Sequence, residues 1–176
     1  MKIVVVSDTH IPRMAKSLPA RLVRELESNT DLILHAGDWT SEQVYDQLVR
    51  YAPVEGVAGN NDGEALLMRF GLRKKIVSGG IRIGLVHGHG PNPRLTAEHR
   101  AAAAFDQGEV DIIVFGHSHI PVLKRLDGML LFNPGSPTDK RRQKQYSFGI
   151  LSISGTDIRA KHVFYDSKDP PKAKKA

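Results

Sequence analysis

Cysteine is absent from this chain, which excludes disulfides and thiolate zinc sites. Long apolar runs are absent too. None approaches the ~20 residues that cross a bilayer. The first run, Ile3–Val6, is ended by Ser7 and Asp8, short of the roughly 7–15 apolar residues in a secretory core. The expectation is a cytoplasmic protein with no membrane partner. Internal repeats and long linkers are also missing. At 176 residues the chain is one domain by length, and a chain of this size hides roughly 70% of its unfolded surface.

What is plentiful is positive charge. The net charge is +6, from 25 basic and 19 acidic residues, an excess that favours acidic partners. Much of it is local. Lys140, Arg141, Arg142 and Lys144 form one cluster, either a solvated loop or an attractor for substrate phosphate. Lys168, Lys172, Lys174 and Lys175 form another, beside Pro170 and Pro171. No aromatic interleaves that second group, so the stacking platforms of a single-strand binder are missing and there is no strong nucleic-acid-binding signal. The division expected is a single domain over residues 1–166 and a basic, disordered tail over 167–176.

Short apolar runs recur along the domain: Ile3–Val6, Leu32–Leu34, Val54–Val57, Ile81–Val86, Val110–Phe115 and Met129–Phe132. They are rich in Val and Ile and bounded by Gly, Asp, Asn or Pro, the pattern of strands buried on both faces. Helical patterns lie between several of them. Ser17 is placed to cap a helix carrying Leu22, Val23 and Leu26, with Pro19 in its first turn. Thr40 and Gln43 read as a capping box ahead of Val44, Tyr45, Leu48 and Val49. A third helix starts at Thr96 and stops at Gly108. Strand–helix alternation argues an α/β fold. After residue 128, Met129–Phe132, Ser147–Ile153 and Ile158–Tyr165 follow without helices and read as antiparallel strands.

The residues that follow the runs carry the chemistry. Ile3–Val6 leads to Asp8-Thr9-His10, and Leu32–Leu34 to Gly37-Asp38. Val54–Val57 leads to Gly59-Asn60-Asn61-Asp62, Ile81–Val86 to His87-Gly88-His89, and Val110–Phe115 to Gly116-His117-Ser118-His119. Parallel strands bring such loops to one edge, where ligands of open α/β sheets bind. Oxygen and imidazole donors without sulfur suit Mn, Fe, Ni, Co or Zn. Seven donors (Asp8, His10, Asp38, Asn60, His87, His117 and His119) exceed the usual four of one zinc and fit two divalent ions with a shared carboxylate. Paired ions recur in phosphoryl hydrolysis because they stabilise both attacking and leaving oxygens.

Five motifs in this order resemble those of the calcineurin-like metallophosphoesterases, and their spacing is similar to the small YfcE-like phosphodiesterase branch. Asn133-Pro134-Gly135-Ser136 also matches that branch. The resemblance spans residues 3 to about 153. It implies a four-layer α/β/β/α sandwich of two mixed sheets flanked by helices. It implies that Asp8, His10 and His119 hold one metal, that Asn60, His87 and His117 hold the second, and that Asp38 bridges both. A bridging hydroxide would then attack the phosphorus of a small phosphodiester in line. Manganese is the ion expected, with Ni, Fe, Zn or Co compatible.

One position departs from the family. Many members carry His directly after the motif Asn, as general acid for the leaving group; here it is Asn61, and an amide cannot deliver a full proton. Asp62 is the rival donor, with a capping or turn role favoured. His89, Arg141 and Arg142 are candidates for substrate contact. His35 reads as support for the site or as a satisfied core histidine, Trp39 as core, and His99 and His162 as surface. A non-catalytic metal-binding scaffold like the retromer subunit and a phosphomonoesterase are the competing functions. The retained Asp38 and the complete set of histidines argue against the scaffold. Nuclease relatives are usually larger. The sequence leaves self-association open.

Overall fold

A computed structural model describes residues 1–169. Its order is β1 (Lys2–Val6), α1 (Ala20–Leu26), β2 (Leu32–His35), α2 (Glu42–Leu48), β3 (Val54–Gly56), α3 (Glu64–Phe70), β4 (Arg73–Ser78), β5 (Ile81–Val86), α4 (Ala97–Ala103), β6 (Ile112–Val114), β7 (Val122–Leu126), β8 (Met129–Asn133), β9 (Tyr146–Ser154) and β10 (Asp157–Tyr165). Two five-stranded sheets result, ordered β10-β9-β1-β2-β3 and β4-β5-β6-β8-β7. Each is mixed. β1, β2 and β3 are parallel while β9 and β10 run antiparallel to their neighbours. β5, β6 and β8 are parallel, flanked by antiparallel β4 and β7.

Side-chain alternation explains the layers, since successive strand residues point to opposite faces. From β1, Ile3 and Val5 enter the core between the sheets with Leu34, Ile83, Leu85, Val114 and Phe132. Val4 and Val6 point the other way, into a core with Leu22, Leu26, Val44, Leu48 and Phe70 of α1, α2 and α3. In β6, Ile112 and Val114 face the first sheet, while Ile113 packs with Ala97, Ala101 and Phe105 at α4. The order is therefore helices, sheet, sheet, helix. Each Val or Ile fully buried this way contributes roughly 1.5–3 kcal/mol.

Several local expectations change. Ser17 does not cap α1; Pro19 is its N-cap. The capping box at Thr40 and Gln43 does not form. Ser41 is the N-cap of α2, and Thr40 Oγ1 and Ser41 Oγ both donate to Ile11 O at 2.8 and 2.9 Å. A tie to the loop after β1 has taken the hydroxyls from the helix. The third helix does begin at Thr96, whose Oγ1 accepts from His99 N, but it ends at Ala103, short of Gly108. Met129–Phe132 is not antiparallel to the last two strands; β8 belongs to the other sheet, parallel to β6. His162 is not a surface residue. It is half-buried, its Nε2 donates to Asn133 O at 2.7 Å, and burial pushes its pKa down. Lys168 donates to Thr138 O at 3.2 Å. The rest of the expected tail, 170–176, lies outside the described residues. Among the described residues no helix is long and apolar enough to cross a membrane.

Candidate metal centre

The five motif loops meet where the carboxyl ends of β1, β2, β3, β5 and β6 converge. Five of the seven expected donors adopt left-handed backbone: Asp8 (φ 54), His10 (φ 43), Asp38 (φ 59), His117 (φ 69) and His119 (φ 59). Residues with a Cβ pay roughly 1–3 kcal/mol for such conformations and keep them only when their surroundings enforce them. Here Asp8 N donates to Gly37 O at 2.9 Å, His10 N to Asp38 O at 3.1 Å, and Gly116 N to His87 O at 3.1 Å. The loops are thus laced together within each sheet, and His117 N, donating to Asp8 Oδ2 at 3.0 Å, ties one sheet's loops to the other's. Gly116 is required for closeness: a Cβ there would collide with Ser7 Oγ and stand 2.7 Å from Asp8 Oδ2.

The donors form two overlapping triads. In one, His119 Nε2 lies 3.3 Å from Asp8 Oδ1 and 3.3 Å from His10 Nε2. In the other, His87 Nε2 lies 3.3 Å from Asp38 Oδ2 and 3.8 Å from Asp8 Oδ1. Asp8 belongs to both. Asp38 Oδ2 also stands 3.6 Å from His10 Nε2, so it lies between the groups, where a bridging carboxylate is expected. His117 and Asn60 are brought to the centre but outside the tight triads. His117 Nδ1 donates to Asn60 Oδ1 at 3.0 Å, and its ring centroid is 5.2 Å from that of His87.

The chemistry of this set fits divalent cations. Asp8 Oδ1 and His87 Nε2 are buried with no hydrogen-bond partner, a costly arrangement unless something compensates it. The far side of two imidazoles is already committed: His87 Nδ1 donates to Ala36 O at 2.7 Å and His119 Nδ1 to Asp139 O at 2.6 Å. Those bonds keep Nδ1 as the donor and turn each Nε2 inward, where it would offer a lone pair once a cation displaced its proton. Burial pushes the Asp8 carboxyl up, but His119 and His87 outweigh it and hold it below the usual range. Burial acts likewise on Asp38, where His87 and Asn61 prevail and lower it. Burial lowers His87, yet Asp38 and Asp8 override it and lift it to about 9. Carboxylates that attract positive charge this strongly are the ones a cation would find.

The calcineurin-like phosphoesterase superfamily domain matches residues 1–156 of the sequence. The chain belongs to this family. A probable metallophosphoesterase of Methanothermobacter thermautotrophicus is 36% identical over 167 residues, covering 93% of this chain and 92% of that protein. A phosphodiesterase of Methanocaldococcus jannaschii is 27% identical over 151 residues, 77% of this chain and 83% of that protein. Among solved structures, Vps29 of Entamoeba histolytica complexed with zinc aligns with a TM-score of 0.74 at 26% identity, over 93% of this chain and 99% of that one. Membership places the chain among phosphoester hydrolases and accounts for the two mixed sheets.

Other expected residues find definite places in this phosphoesterase fold. Asn61 is turned onto Asp38, its N and Nδ2 donating to Oδ1 and Oδ2 at 2.9 and 2.7 Å. Asp62 accepts three backbone N–H groups, from Asp38 and Gly59 on Oδ2 and from Thr40 on Oδ1, at 2.7–2.9 Å. It fastens the Asp38 loop to the Asn60 loop. His35 is buried and satisfied: Nδ1 accepts from Gly37 N and Nε2 donates to Thr9 Oγ1. Trp39 is core, stacked between His35 and Phe70 with Nε1 donating to Val57 O. His89 is half-buried, 6.3 Å from the His117 ring between centroids. Arg141 Nε is 3.8 Å from Asp139 Oδ2, which is 3.5 Å from His119 Nδ1, whereas Arg142 makes no ion pair among the described residues.

Sequence reasoning missed the supports. Ser136 Oγ donates to Asp8 O at 2.8 Å and accepts from Asp139 N at 2.8 Å. Ser7 Oγ donates to Asp8 Oδ2 at 2.7 Å. The Asn133–Ser136 motif was a usable signal for Ser136. Asp139 carries none, because it acts through its carbonyl oxygen.

Proposed function

We propose that this protein is a two-metal phosphodiesterase that cleaves a P–O bond of a small phosphodiester by in-line attack of water. The observation that carries the reading is the pair of donor triads, which share Asp8, with Asp38 of the second triad standing 3.6 Å from His10 of the first. Asp8, His10 and His119 would hold one ion, and His87, His117 and Asn60 the other, with Asp38 common to both. Two such ions, Mn first among the candidates, supply Lewis acidity at the phosphoryl oxygens and lower the pKa of water. The chain's own part is to hold this charge in a fixed geometry. The carbonyls of Ala36 and Asp139 orient His87 and His119, and Asn61 holds Asp38. His117, Asn60 and His89 form the rim that meets the ester. A diester preference is supported by the M. jannaschii phosphodiesterase relative.

The test is hydrolysis of bis(4-nitrophenyl) phosphate by chelated and metal-restored protein. Chelation is expected to abolish turnover and Mn or Ni to restore it; full activity in protein verified metal-free would sink the proposal. A matching assay with 4-nitrophenyl phosphate separates diesterase from monoesterase.

A further inference from the structure

At the same sheet edge as the metal centre lies a concave site. A cleft of about 400 Å³ is lined by Pro121, Arg142, Gln143, Lys144, Gln145 and Phe164. Its volume is within the roughly 300–1,000 Å³ of small-ligand sites. Topology puts it at the working edge. β1 and β10 are both antiparallel to β9, so they run the same way, and Phe164 near the end of β10 lies at the edge that carries Asp8. Phe164 is paired with Ser147, whose Oγ donates to Pro134 O in the segment that supports Asp8. Pro121 follows His119 by two residues, a span of at most ~7 Å. Arg142 follows Arg141, whose partner Asp139 touches His119.

The walls have unmatched chemistry. Phe164 is 50% exposed, its ring tilted 5.6 Å from that of His162 between centroids. Within the basic cluster, Arg141 with Asp139 is the one ion pair among the described residues. Lys140 is engaged, its Nζ donating to Lys144 O at 3.0 Å and lying 5.2 Å over the Tyr146 ring. Arg142 and Lys144 therefore face the cleft with their charge uncompensated. Gln145 Nε2 donates to Asp166 Oδ1, which leaves its Oε1 to accept. An aromatic face, two cations and two amides together suit a planar heterocycle carrying a phosphate. An alkyl arm would leave the cations unmatched, and bare phosphate would leave the ring unused.

We infer that this cleft binds a nucleotide arm of the substrate, with Phe164 stacking on the base and Arg142 and Lys144 on its phosphate. The inference rests on the phosphodiesterase reading: the scissile phosphorus lies at the metal centre, and the nucleotide extending past His119 carries a second phosphate, as in a dinucleotide, which is the one Arg142 and Lys144 meet.

Calorimetric titration of the metal-loaded full chain with AMP, ribose 5-phosphate and adenosine tests it. AMP is expected to bind roughly tenfold tighter than ribose 5-phosphate, the order of a base–aromatic stack. Phe164→Leu, which keeps apolar bulk at a half-exposed position, should erase that preference. Joint replacement Arg142→Gln and Lys144→Gln should weaken AMP and ribose 5-phosphate alike, leaving adenosine unchanged. A wild-type protein without base preference, a preference that survives Phe164→Leu, or AMP affinity indifferent to the joint replacement each overturns the inference. Thermal melts confirm that the variants are folded. If wild-type protein binds AMP in the expected pattern yet fails to hydrolyse bis(4-nitrophenyl) phosphate with any metal, the catalytic reading has failed and not the cleft.

Discussion

The centre has a dry inner wall and a wet rim, and they are built differently. Asp8, His10, Asp38, His87 and His119 are at most 2% exposed. Asn60 and Arg141 are exposed, and His89 and His117 are half-buried. Four of these inner side chains are held by backbone groups of neighbouring loops: Asp8 by His117 N, Asp38 by Asn61 N, His87 by Ala36 O and His119 by Asp139 O. The rim groups lean on one another, as His117 does on Asn60. Buried carboxylates and imidazoles without that lacing would shift their pKa values and neutralise. The inner wall is a device for holding charge; the rim is where substrate and water meet it.

The largest effect should come from breaking the inner wall. Asp38→Asn removes a carboxylate of the second triad that also stands 3.6 Å from His10 of the first. Loss of a mere supporting partner costs ~10–100-fold in metal affinity or activity, so kcat/KM should fall further than that, with metal content falling too. His117→Ala at the rim should cost less on both measures. Equal losses, or two retained metals and near-normal rate in Asp38→Asn, would show that the inner wall and rim are wrongly divided.

Asn61 sharpens the comparison where wall meets rim. Both its donors are directed at Asp38, so a departing alkoxide meets no acid there. A positioned general acid contributes ~10²–10⁴-fold, and a nitrophenolate needs none. The rate should fall steeply from aryl to alkyl leaving groups, and Asn61→His should narrow that gap. Asp62 already accepts three N–H groups, so Asp62→Asn should loosen the fold and leave the aryl-to-alkyl ratio alone. A ratio that steepens in Asp62→Asn instead would make Asp62 the acid.

The division also explains what could be read in the sequence. Strands buried on both faces announce themselves through Ile, Val and Leu runs, and the donors follow those runs directly. The missed elements are those whose burial is partial. β4 and β7 are sheet edges with Lys74, Lys75, Lys124 and Arg125 among their residues, and α3 leaves Leu67 and Met68 exposed, which blurs its helical stripe. Supports that act through the backbone, such as Ala36 O and Asp139 O, have no residue-type signature at all. Family resemblance supplied the two-sheet pairing; local pattern alone could not send β8 to one sheet and β9 to the other.

His35 gives the inner wall a pH signature in chelated protein. Burial holds its pKa down at about 3, so it stays neutral when folded, while an unfolded histidine takes a proton near 6.5. The stability it contributes is complete above pH ~6.5 and is lost as pH falls towards 3. At pH 5 that is 1.5 pH units, on the order of 2 kcal/mol. Chelated wild type should therefore lose more melting temperature between pH 7.5 and 5 than chelated His35→Gln. A parallel fall in both would remove His35 from the account.

The smallest effect belongs to the outermost charge. Arg141 is 54% exposed in its side chain and reaches Asp139 Oδ2 at 3.8 Å, a separation too loose and too wet to contribute much stability. Two roles remain for it. As a rim charge it attracts anionic substrate over a distance. Then Arg141→Gln should raise KM several-fold at low salt, and the effect should fade as ionic strength brings the Debye length to ~10 Å at 0.1 M and below. As a prop for the wall it would work through Asp139, whose carbonyl accepts from His119 Nδ1. Then metal content and kcat would drop and salt would not matter. The geometry favours the first role, because His119 is held by the backbone oxygen of Asp139 and Arg141 touches only the carboxylate. A KM that is unchanged at every ionic strength, with metal content intact, would leave Arg141 a solvated residue and move the rim inward to His89 and His117.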